Sequence, residues 1–455
     1  MSMVGGALVR GMSPPTAVVV AFSVLIGYSA MAAGIPAFPG AEGFGALTPA
    51  GRGGAVIAVT NLDDAGPGSL RAACSAPGPR VVVFRTGGII DLETDIKISE
   101  PFLTIAGQTA PGNGICLRGG TLRVCRHDVV VRYIRARPGD RDAGVVFGNR
   151  DALKIEGTNV HNVVIDHCSF SWAVDENVST WGTPHDVTIQ WCVVSEALFR
   201  SRHPKGPHSM GLLAGDRTAR LSVHHNLLAH NHWRNPYFQG RGEARAEYDL
   251  RNNVIYDVGK FGTVARGNLL LSCVSNVYLP GPTTSVSEVI HVGLDAKTPG
   301  EHPLVFLRDN QAPGCIDGAA DNWVMVKNLT DLETIELHCT KEPAGAVVGT
   351  MPASDVLDAL LADVGATRPS RDAVDARIVT QVKERSGRVI DSQEEVGGWP
   401  QYPPGTPPVD SDGDGMPDAW EKRHGFDPNA RADGSADRDG DGYTNLEAFL
   451  NETTP

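Results

Sequence analysis

Aromatic residues make up only 6% of this 455-residue chain, and no apolar stretch approaches the about 20 residues that a membrane-spanning helix needs. We therefore predict no membrane span. None of the eight cysteines belongs to a Cys-x-x-Cys pair, which argues against a zinc site. Glycine (52) and proline (31) are by contrast plentiful, and this balance favours many short strands and turns over long helices.

The N-terminus, residues 1–32, has the organisation of a secretory signal peptide. Arg10 supplies the positive flank, residues 17–28 form a short apolar run, and residues 30–32 (Ala-Met-Ala) offer a small-x-small cleavage site. We therefore predict a secreted protein, extracellular or periplasmic. Disulfides are permitted in such a compartment, but the spacing of the cysteines does not determine their pairing.

Charge is distributed unevenly along a chain whose formal net charge is −13. Residues 410–455 carry twelve acidic and four basic side chains, whereas residues 200–251 carry nine basic and four acidic ones. A cationic stretch of this kind can concentrate an anionic ligand, although a solvated mixed surface is the alternative interpretation. No nucleic-acid partner is predicted.

Short apolar strands recur along the middle of the chain, each followed by a polar or small residue. Their third residues, used here as markers, are Ile105, Val131, Ile165, Ile189, Val223, Leu250 and Cys273. Successive markers are 26, 34, 24, 34, 27 and 23 residues apart. A strand repeat of this length indicates a β-solenoid, in which neighbouring coils stack to bury their inner faces.

A second column lies three residues beyond the markers. It consists of Gln108, Ile134, Cys168, Cys192, Asn226, Asn253 and Asn276. The asparagines predict an internal ladder in which side-chain amides bond from coil to coil at about 4.8 Å. The two cysteines on adjacent coils are compatible either with a disulfide or with a reduced buried stack. Helices predicted at residues 68–73, with Ser69 as N-cap, and at residues 356–364 are expected to cover the open ends.

Two acids fall in register once the coils are stacked. Asp151 lies fourteen residues before Ile165, and Asp175 lies fourteen before Ile189. Carboxylates about 5 Å apart repel each other unless they are protonated or bridged by a cation. Hard oxygen ligands on a rigid ladder favour Ca²⁺, with Glu176 as a further ligand; two solvent-facing acids that happen to stack are the alternative.

Two basic residues have similar offsets from their markers. Lys205 lies eighteen residues before Val223, and Arg234 lies sixteen before Leu250. We therefore expect both side chains on the same lateral face as the acids. A single lysine or arginine is usually a solvated surface residue, so the prediction depends on the four residues together.

A Pro-rich segment, residues 400–409, is predicted to link the solenoid to a small calcium-binding module at residues 410–455. Loop positions 1, 3, 5, 9 and 12 of an EF-hand-like site are occupied by Asp410, Asp412, Asp414, Asp418 and Glu421. A second, weaker copy is formed by Asp437, Asp439 and Asp441. The paired loops resemble dockerin or thrombospondin type 3 calcium repeats. We expect them to stabilise the terminus, with docking of a partner as the alternative.

Several ordered motifs in residues 36–400 resemble the pectate lyase family. They include FPGAEGFG (38–45), TIAGQTAPG (104–112), IDHCSFSW (165–172), HHNLLAHN (224–231) with RNP (234–236), and VGGWP (396–400). The resemblance implies an all-β, right-handed parallel β-helix over residues 33–399. It also implies Ca²⁺-assisted β-elimination on polygalacturonate, which yields unsaturated oligosaccharides.

The resemblance also implies roles for individual residues. Arg234 matches the family's catalytic arginine and Lys205 its active-site lysine, while Asp151 and Asp175 fall on calcium-ligand positions. A further basic residue of the family is Gln239 here, so Arg241 is the predicted substitute in substrate binding. A calcium-binding glutamate of the family is replaced by Ser171.

Histidines are frequent around these positions. His203 and His208 are predicted to contact the substrate rather than to act as acid or base. His225 shares a column with His167 and Trp191, which predicts that the three rings stack. We expect an alkaline activity optimum, because an arginine acts as a base only when it loses its proton.

Two other functions remain open from the sequence alone. A β-helical hydrolase of the polygalacturonase type would need clustered aspartates, and the NTD, DD and GHG motifs of such enzymes are absent from the expected places. A non-catalytic solenoid that binds acidic glycans would use Lys205 and Arg234 only to hold anions.

Overall fold

The computed structural model describes residues 34–142, 146–285, 289–316 and 321–452. The predicted signal peptide lies outside these residues. Within them the chain repeats one path, passing through three parallel sheets that we call A, B and C. No helix in the described ranges is both long and apolar enough to cross a membrane.

Each sheet stacks one strand from successive coils. The ten strands of sheet A are Ala55–Val59, Arg80–Phe84, Leu103–Ala106, Val129–Arg132, His161–Asp166, His185–Gln190, Leu221–His224, Ala246–Arg251, Leu269–Val274 and Leu304–Arg308. The eight strands of sheet B are Gly88–Asp91, Ile115–Arg118, Arg135–Ala136, Ser169–Ser171, Val193–Ser195, Leu227–Ala229, Val254–Tyr256 and Val277–Leu279. The nine strands of sheet C are Ile96–Ile98, Leu122–Val124, Leu153–Gly157, Glu176–Gly182, Met210–Ala214, Tyr237–Gly240, Thr263–Gly267, Ile290–Gly293 and Val326–Leu329.

Helices are few and short in comparison. The α-helices are α1 (Leu70–Ser75), α2 (Ala353–Asp363), α3 (Ala373–Glu384), α4 (Asp418–His424) and α5 (Asn445–Glu452). The 3₁₀ turns are Gly107–Thr109, Phe147–Asn149, Asn322–Met325, Thr334–Leu337 and Gln393–Val396.

The register of sheet A agrees with the sequence markers at every step. Ile105 pairs with Val131, Val131 with Ile165, and so on to the pair formed by Leu250 and Cys273. All seven markers are fully buried in one continuous core. The predicted all-β parallel β-helix is thereby confirmed.

The predicted asparagine ladder is also confirmed. The Nδ2 of Asn226 donates to the Oδ1 of Asn253 at 3.1 Å, and Asn253 donates to Asn276 at 2.9 Å. The ladder continues beyond the prediction through Asn310 and Asn322, each step measuring 3.0 Å. Each amide thus satisfies the next inside the core, where an unpaired polar group would be costly.

The cysteines in the same column form a reduced stack. The backbone N–H of Cys168 donates to the Sγ of Cys192 at 3.4 Å, and both side chains are thiols. Of the two arrangements that the sequence allowed, the structure has the one without a disulfide.

A stack of rings marks the corner between sheets A and B. Tyr133, His167, Trp191 and His225 lie face to face, with centroids 5.1, 5.7 and 4.7 Å apart. Each of the four has a φ between 48° and 55°, the left-handed region that non-glycine residues rarely adopt. The predicted stacking of His225 with Trp191 and His167 is confirmed.

The first of the two predicted end covers is confirmed. Helix α1 begins after Ser69, whose Oγ accepts a hydrogen bond from the N–H of Ala72 at 3.2 Å. Leu70, Ala73 and Cys74 are buried against the first coils. The helix therefore covers the N-terminal end of the core.

The second predicted end cover is wrong. Helix α2 forms nearly where expected, but it packs through Val356 and Leu360 against the outer face of sheet B, where it contacts a cluster that includes Leu227 and Val254. Apolar spacing predicted a helix with one buried face. It carried no information on which surface that face would cover.

The C-terminal segment also packs onto the solenoid. Trp420 of α4 and Phe449 of α5 are buried in a cluster with Val81 and Val83 on the outer face of sheet A. The predicted linker is packed as well, since Tyr402 is buried and its hydroxyl donates to Asp372 at 2.5 Å. The domain boundaries at residues 400 and 410 stay predictions.

The turns from sheet B to sheet C differ most in length. In four consecutive coils they span residues 137–152, 172–175, 196–209 and 230–236. Two of these turns account for the longest repeats, in which the markers are 34 residues apart. Because every turn ends at an edge strand position of sheet C, the four turns meet on one lateral face.

Candidate active site

A groove of about 540 Å³ lies on this face, above the strands of sheet C. Six residues predicted for the site line it, namely Asp175, Glu176, Lys205, His208, Arg234 and Arg241. Asp151, Asp175, Lys205 and Arg234 belong to the four consecutive turns, one from each. The solenoid therefore brings together acidic and basic residues that are up to 83 positions apart in the sequence.

The three predicted carboxylates Asp151, Asp175 and Glu176 form one cluster. Each offers an oxygen, and these oxygens lie within 4.8 Å of one another. The register of sheet C pairs Leu153 with Val178, an offset of 25 residues. Asp151 is therefore level with Glu176 rather than with Asp175, because the sequence markers of sheet A have an offset of 24 at this coil.

Asp151 is the most deeply placed of the three. Its Oδ2 accepts from the hydroxyl of Ser179 at 2.6 Å and its Oδ1 from the N–H of Glu176 at 3.3 Å. Burial raises the pKa of Asp151 to about 7, and the charge of Asp175 adds to this effect, while Lys154, with its Nζ 3.6 Å away, opposes it.

The cluster has the chemistry of a calcium site. Three carboxylates crowd together, one of them fully buried, so their ionised forms repel each other. A divalent cation would relieve that repulsion, and Ca²⁺ prefers oxygen ligands of this kind. Asp151, Asp175 and Glu176 thus fit the predicted ion.

Arg234 reaches the cluster from the last of the four turns. Its guanidinium forms an ion pair with Glu176 and is only 19% exposed. Burial lowers the pKa of Arg234, although Asp175 and Tyr237 act in the opposite direction. The backbone at Arg234 has a φ of 61°, a left-handed conformation that directs the side chain into the groove at some conformational cost.

Lys205 and the two predicted histidines belong to the third turn. Lys205 is exposed, and its N–H donates to the Nδ1 of His203 at 3.1 Å. The rings of His203 and His208 stack with centroids 3.4 Å apart, and their Nε2 atoms lie 3.5 and 3.4 Å from the Oδ1 of Asp175. Burial lowers the pKa of His203. The structure therefore places the side chain of His203 beneath the surface, facing Asp175, and only His208 at the groove wall.

Arg241 and Gln239 lie at the far side of the groove. The Nε of Arg241 donates to Asp295 at 2.9 Å, which holds the guanidinium at the groove edge. The Oε1 of Gln239 accepts from the N–H of Asp216 at 3.1 Å. Arg241 is therefore the basic group available near this position, as the prediction requires.

Two partners of Asp151 were not identified from the sequence. Ser179 lies in the quoted family motif that begins at Asp175, and Lys154 lies three residues after Asp151. Both side chains point outward from sheet C, next to the cluster. Strand alternation counted from Leu153 and Val178 would have placed them on this face.

The C-terminal carboxylates form a second cluster, whose members differ from the predicted set. Asp412, Asp414 and Glu421 lie together with Asp433, which the loop pattern did not include. Both carboxylate oxygens of the fully buried Glu421 lack a hydrogen-bond partner. Burial raises the pKa of Asp414 and of Glu421 to about 7.

Asp410 and Asp418, predicted at loop positions 1 and 9, have other contacts. The Oδ1 of Asp410 accepts from the N–H of Gly413 at 2.8 Å, and Asp418 accepts from the N–H of Ser411 at the same distance. Both carboxylates therefore stabilise the turn. Neither belongs to the cluster around Glu421 in the described residues.

The weaker second loop is also formed. Asp437, Asp439 and Asp441 lie within 4.8 Å of one another, and all three are exposed. Asp437 accepts from the N–H groups of Gly440 and Gly442 at 2.7 and 3.0 Å. This cluster is more open than the one around Glu421.

Comparisons with known proteins agree with this architecture. The family described as Bacterial TSP3 repeat matches residues 410–430. The chain is similar in fold, at 12% identity and a TM-score of 0.53, to the solved structure titled "Pectate lyase bound to hexasaccharide", covering 73% of this chain and 98% of that one. A Bacillus subtilis pectate lyase variant has a TM-score of 0.51 at 13% identity, over 72% of this chain and 96% of its own.

Curated relatives are closer in sequence. A probable pectate lyase C from Aspergillus flavus is 36% identical over 92% of this chain and 94% of its own length. A probable pectate lyase C from Aspergillus terreus is 35% identical over 96% and 98%, respectively. With two such relatives aligned over nearly the whole length, and with a parallel β-helix whose turns bring Asp151, Asp175, Lys205 and Arg234 into one groove, this chain belongs to the pectate lyase family of polysaccharide lyases.

Proposed function

We propose that this protein is a secreted, calcium-dependent lyase that cleaves (1→4)-linked galacturonan by β-elimination. The observation that carries the proposal is the position of Arg234, whose guanidinium enters the groove beside the carboxylates Asp151, Asp175 and Glu176. Arginine and lysine side chains in the same groove complement a polyanionic substrate.

Substrate binding uses the cationic side chains of the groove. Lys205 projects from its turn as an exposed ammonium, and Arg241 is held at the opposite edge by Asp295. Asp151, Asp175 and Glu176 would hold the calcium ion. When bound, calcium supplies charge that neutralises the uronate carboxylate and stabilises the negative charge that develops next to it.

Arg234 is the base in this mechanism. It removes the proton from C5 of the uronate, the electron pair forms the C4–C5 double bond, and the bond from C4 to the glycosidic oxygen breaks. The leaving oxygen takes a proton from water. Lys205 stabilises the charge on the carboxylate in the transition state, an interaction of roughly 3–4 kcal/mol by analogy with an oxyanion donor.

The protonation state of Arg234 sets the pH dependence. Burial lowers the pKa of Arg234, so its neutral form becomes accessible at a lower pH than for a free guanidinium. That form still increases with pH. We expect the turnover rate to rise from neutral to alkaline pH, and a rate that falls steadily above neutrality would contradict the assignment.

The test follows the absorbance of the unsaturated product on polygalacturonate with calcium. We expect rising absorbance that a chelator abolishes, and a loss of kcat of about 100-fold to 10,000-fold in Arg234→Ala. Arg217→Ala, which removes a 53% exposed arginine of the same basic stretch, is the matched control and should retain activity.

Other outcomes would identify the alternative functions. A hydrolase would release reducing ends without any rise in absorbance. A binding protein would produce neither signal, although it would still retain the polymer. Full turnover by Arg234→Ala would refute the catalytic assignment.

We further propose that the carboxylates around Glu421 hold a structural calcium ion. Five buried oxygens without hydrogen-bond partners, on Asp412, Asp414, Glu421 and Asp433, support this. A docking partner of the module has less support, because the apolar side of α4 and α5 is covered by sheet A. Export by residues 1–32 is tested by whether the mature protein in the culture medium begins near Ala33.

A further inference from the structure

Trp181 stands out among the tryptophans because 42% of its surface is exposed, and it lies on the groove floor rather than on an outer loop. It is near the end of the strand Glu176–Gly182, two positions beyond Ser179 on the same face. Two residues of a strand span roughly 7 Å. The indole therefore begins about one sugar ring away from the hydroxyl that binds Asp151.

Gly215 provides the space that this indole occupies. Thr180 pairs with Ala214 on the next coil, so Trp181 is level with Gly215. A Cβ at Gly215 would come within 2.7 Å of the Cε3 of Trp181. The ring therefore leans over the glycine, in the place of a side chain, and leaves its other surface open to the groove.

The surroundings of Trp181 offer no unpaired positive charge. Glu156 is level with it on the preceding coil, and Arg123 pairs with both Glu156 and Asp95. Two acids thus oppose one arginine beside the indole. The charges that would attract a uronate, on Lys205 and Arg234, lie toward the opposite end of the groove, in the turns that precede sheet C.

We infer that Trp181 and Gly215 form a sugar-binding subsite that takes a neutral pyranose ring, such as a methyl-esterified galacturonate. The inference rests on the proposed function, since it concerns the same groove. An aromatic ring supplies a large contact area for the apolar face of a sugar without requiring charge. Glu156 disfavours a free carboxylate at the same position. The preferred polymer is therefore an acidic galacturonan that carries neutral residues at intervals.

The experiment measures binding separately from catalysis. In an Arg234→Ala background, which keeps oligosaccharides intact, calorimetry compares two galacturonate oligomers of equal length, one free and one partly methyl-esterified. We expect Trp181→Ala to raise the Kd for the esterified oligomer about tenfold and that for the free oligomer less than threefold. Trp181→Phe, which retains a ring, should change both by less than threefold.

Two further variants test the construction of the subsite. Gly215→Val should displace the indole and reproduce the selective loss seen in Trp181→Ala. Glu156→Gln should tighten binding of the free oligomer by a few fold. Leu294→Ala removes a residue of the same 42% exposure outside the groove and should leave both Kd values unchanged.

The outcomes separate this inference from the proposed function. If the wild-type protein cleaves polygalacturonate and Trp181→Ala changes the two Kd values equally or not at all, the subsite inference is refuted alone. If the wild-type protein neither binds nor cleaves any galacturonan, the proposed function itself has failed.

Discussion

At the scale of single residues, Glu176 has two roles that compete for the same carboxylate. It forms an ion pair with Arg234 and it belongs to the cluster that fits calcium. Glu176→Gln removes the charge needed for both. We expect the calcium concentration for half-maximal activity to rise at least tenfold. Glu243→Gln, an exposed acid between the same strands, is the control, and an equal shift in both variants would contradict a specific role.

Also at this scale, three acids predict how stability depends on pH. The pKa of Asp151, Asp414 and Glu421 is raised to about 7 in the folded protein, mainly by burial. Unfolded carboxyls titrate near pH 4. Between about pH 4 and pH 7 the folded state therefore binds more protons than the unfolded state, and its free energy of unfolding falls as pH rises.

The measurement is the melting temperature in chelator and in calcium across that pH range. We expect a decline with rising pH in chelator, and a smaller decline in calcium, because the ion replaces the protons. Glu421→Gln should flatten the decline in chelator. Identical pH profiles with and without calcium would show that these acids do not bind the ion.

The residue scale is also where prediction from sequence was least complete. The offsets of Asp151, Lys205 and Arg234 from the markers indicated one face, because the coil period alone determines which turns coincide. The level of Asp151 relative to Glu176 could not be obtained, since it depends on the number of residues between sheets C and A. Asp433 joins a cluster from outside the loop pattern, through tertiary folding that spacing does not encode.

At the scale of elements, the asparagine ladder is the feature whose loss should be most costly. Asn253 donates to Asn276, Val223 and Arg251 and accepts from Asn226. Asn253→Ala leaves several buried groups unpaired, so we expect a loss of about 2–4 kcal/mol, seen as a lower midpoint in denaturant unfolding. Asn429→Ala, at an exposed site with only local hydrogen bonds, should change the midpoint little.

The elements themselves were largely predictable, because a parallel solenoid repeats one local pattern. Sheet A follows the markers, and the segment 304–310 fits the same pattern, with Leu307 level with Cys273 and Asn310 three residues later. Asn310 could therefore have been found from the sequence. Asn322 could not, since it enters the ladder from a 3₁₀ turn only twelve residues further on. Nor could the surface covered by α2, which depends on which sheet remains exposed.

At the scale of the whole molecule, the C-terminal module is attached to the first coils by both apolar and charged contacts. Met416 and Trp420 pack on sheet A, and Arg52 pairs with Glu447 at 2.9 Å. Because Glu421 is at once part of α4 and of the carboxylate cluster, loss of the ion should loosen α4 from sheet A. We expect a chelator to make the chain after Val409 sensitive to protease before the β-helix is cut.

Limited proteolysis followed by mass spectrometry measures this order of cleavage. Trp420→Ala should show the same early cleavage even in calcium, because it removes the apolar contact directly. Asp427→Asn, an exposed acid of the same module outside the cluster, is the control. Simultaneous cleavage of module and β-helix in chelator would contradict the proposed coupling.

The unequal turns between sheets B and C have a consequence for how such proteins diversify. Each turn starts and finishes on strands whose register is held by buried apolar partners, so added or deleted residues there leave the stacking of the coils intact. Ligand preference can thus vary through loop length while the spine of the molecule keeps its melting behaviour, which makes these turns the natural place to exchange segments between homologues.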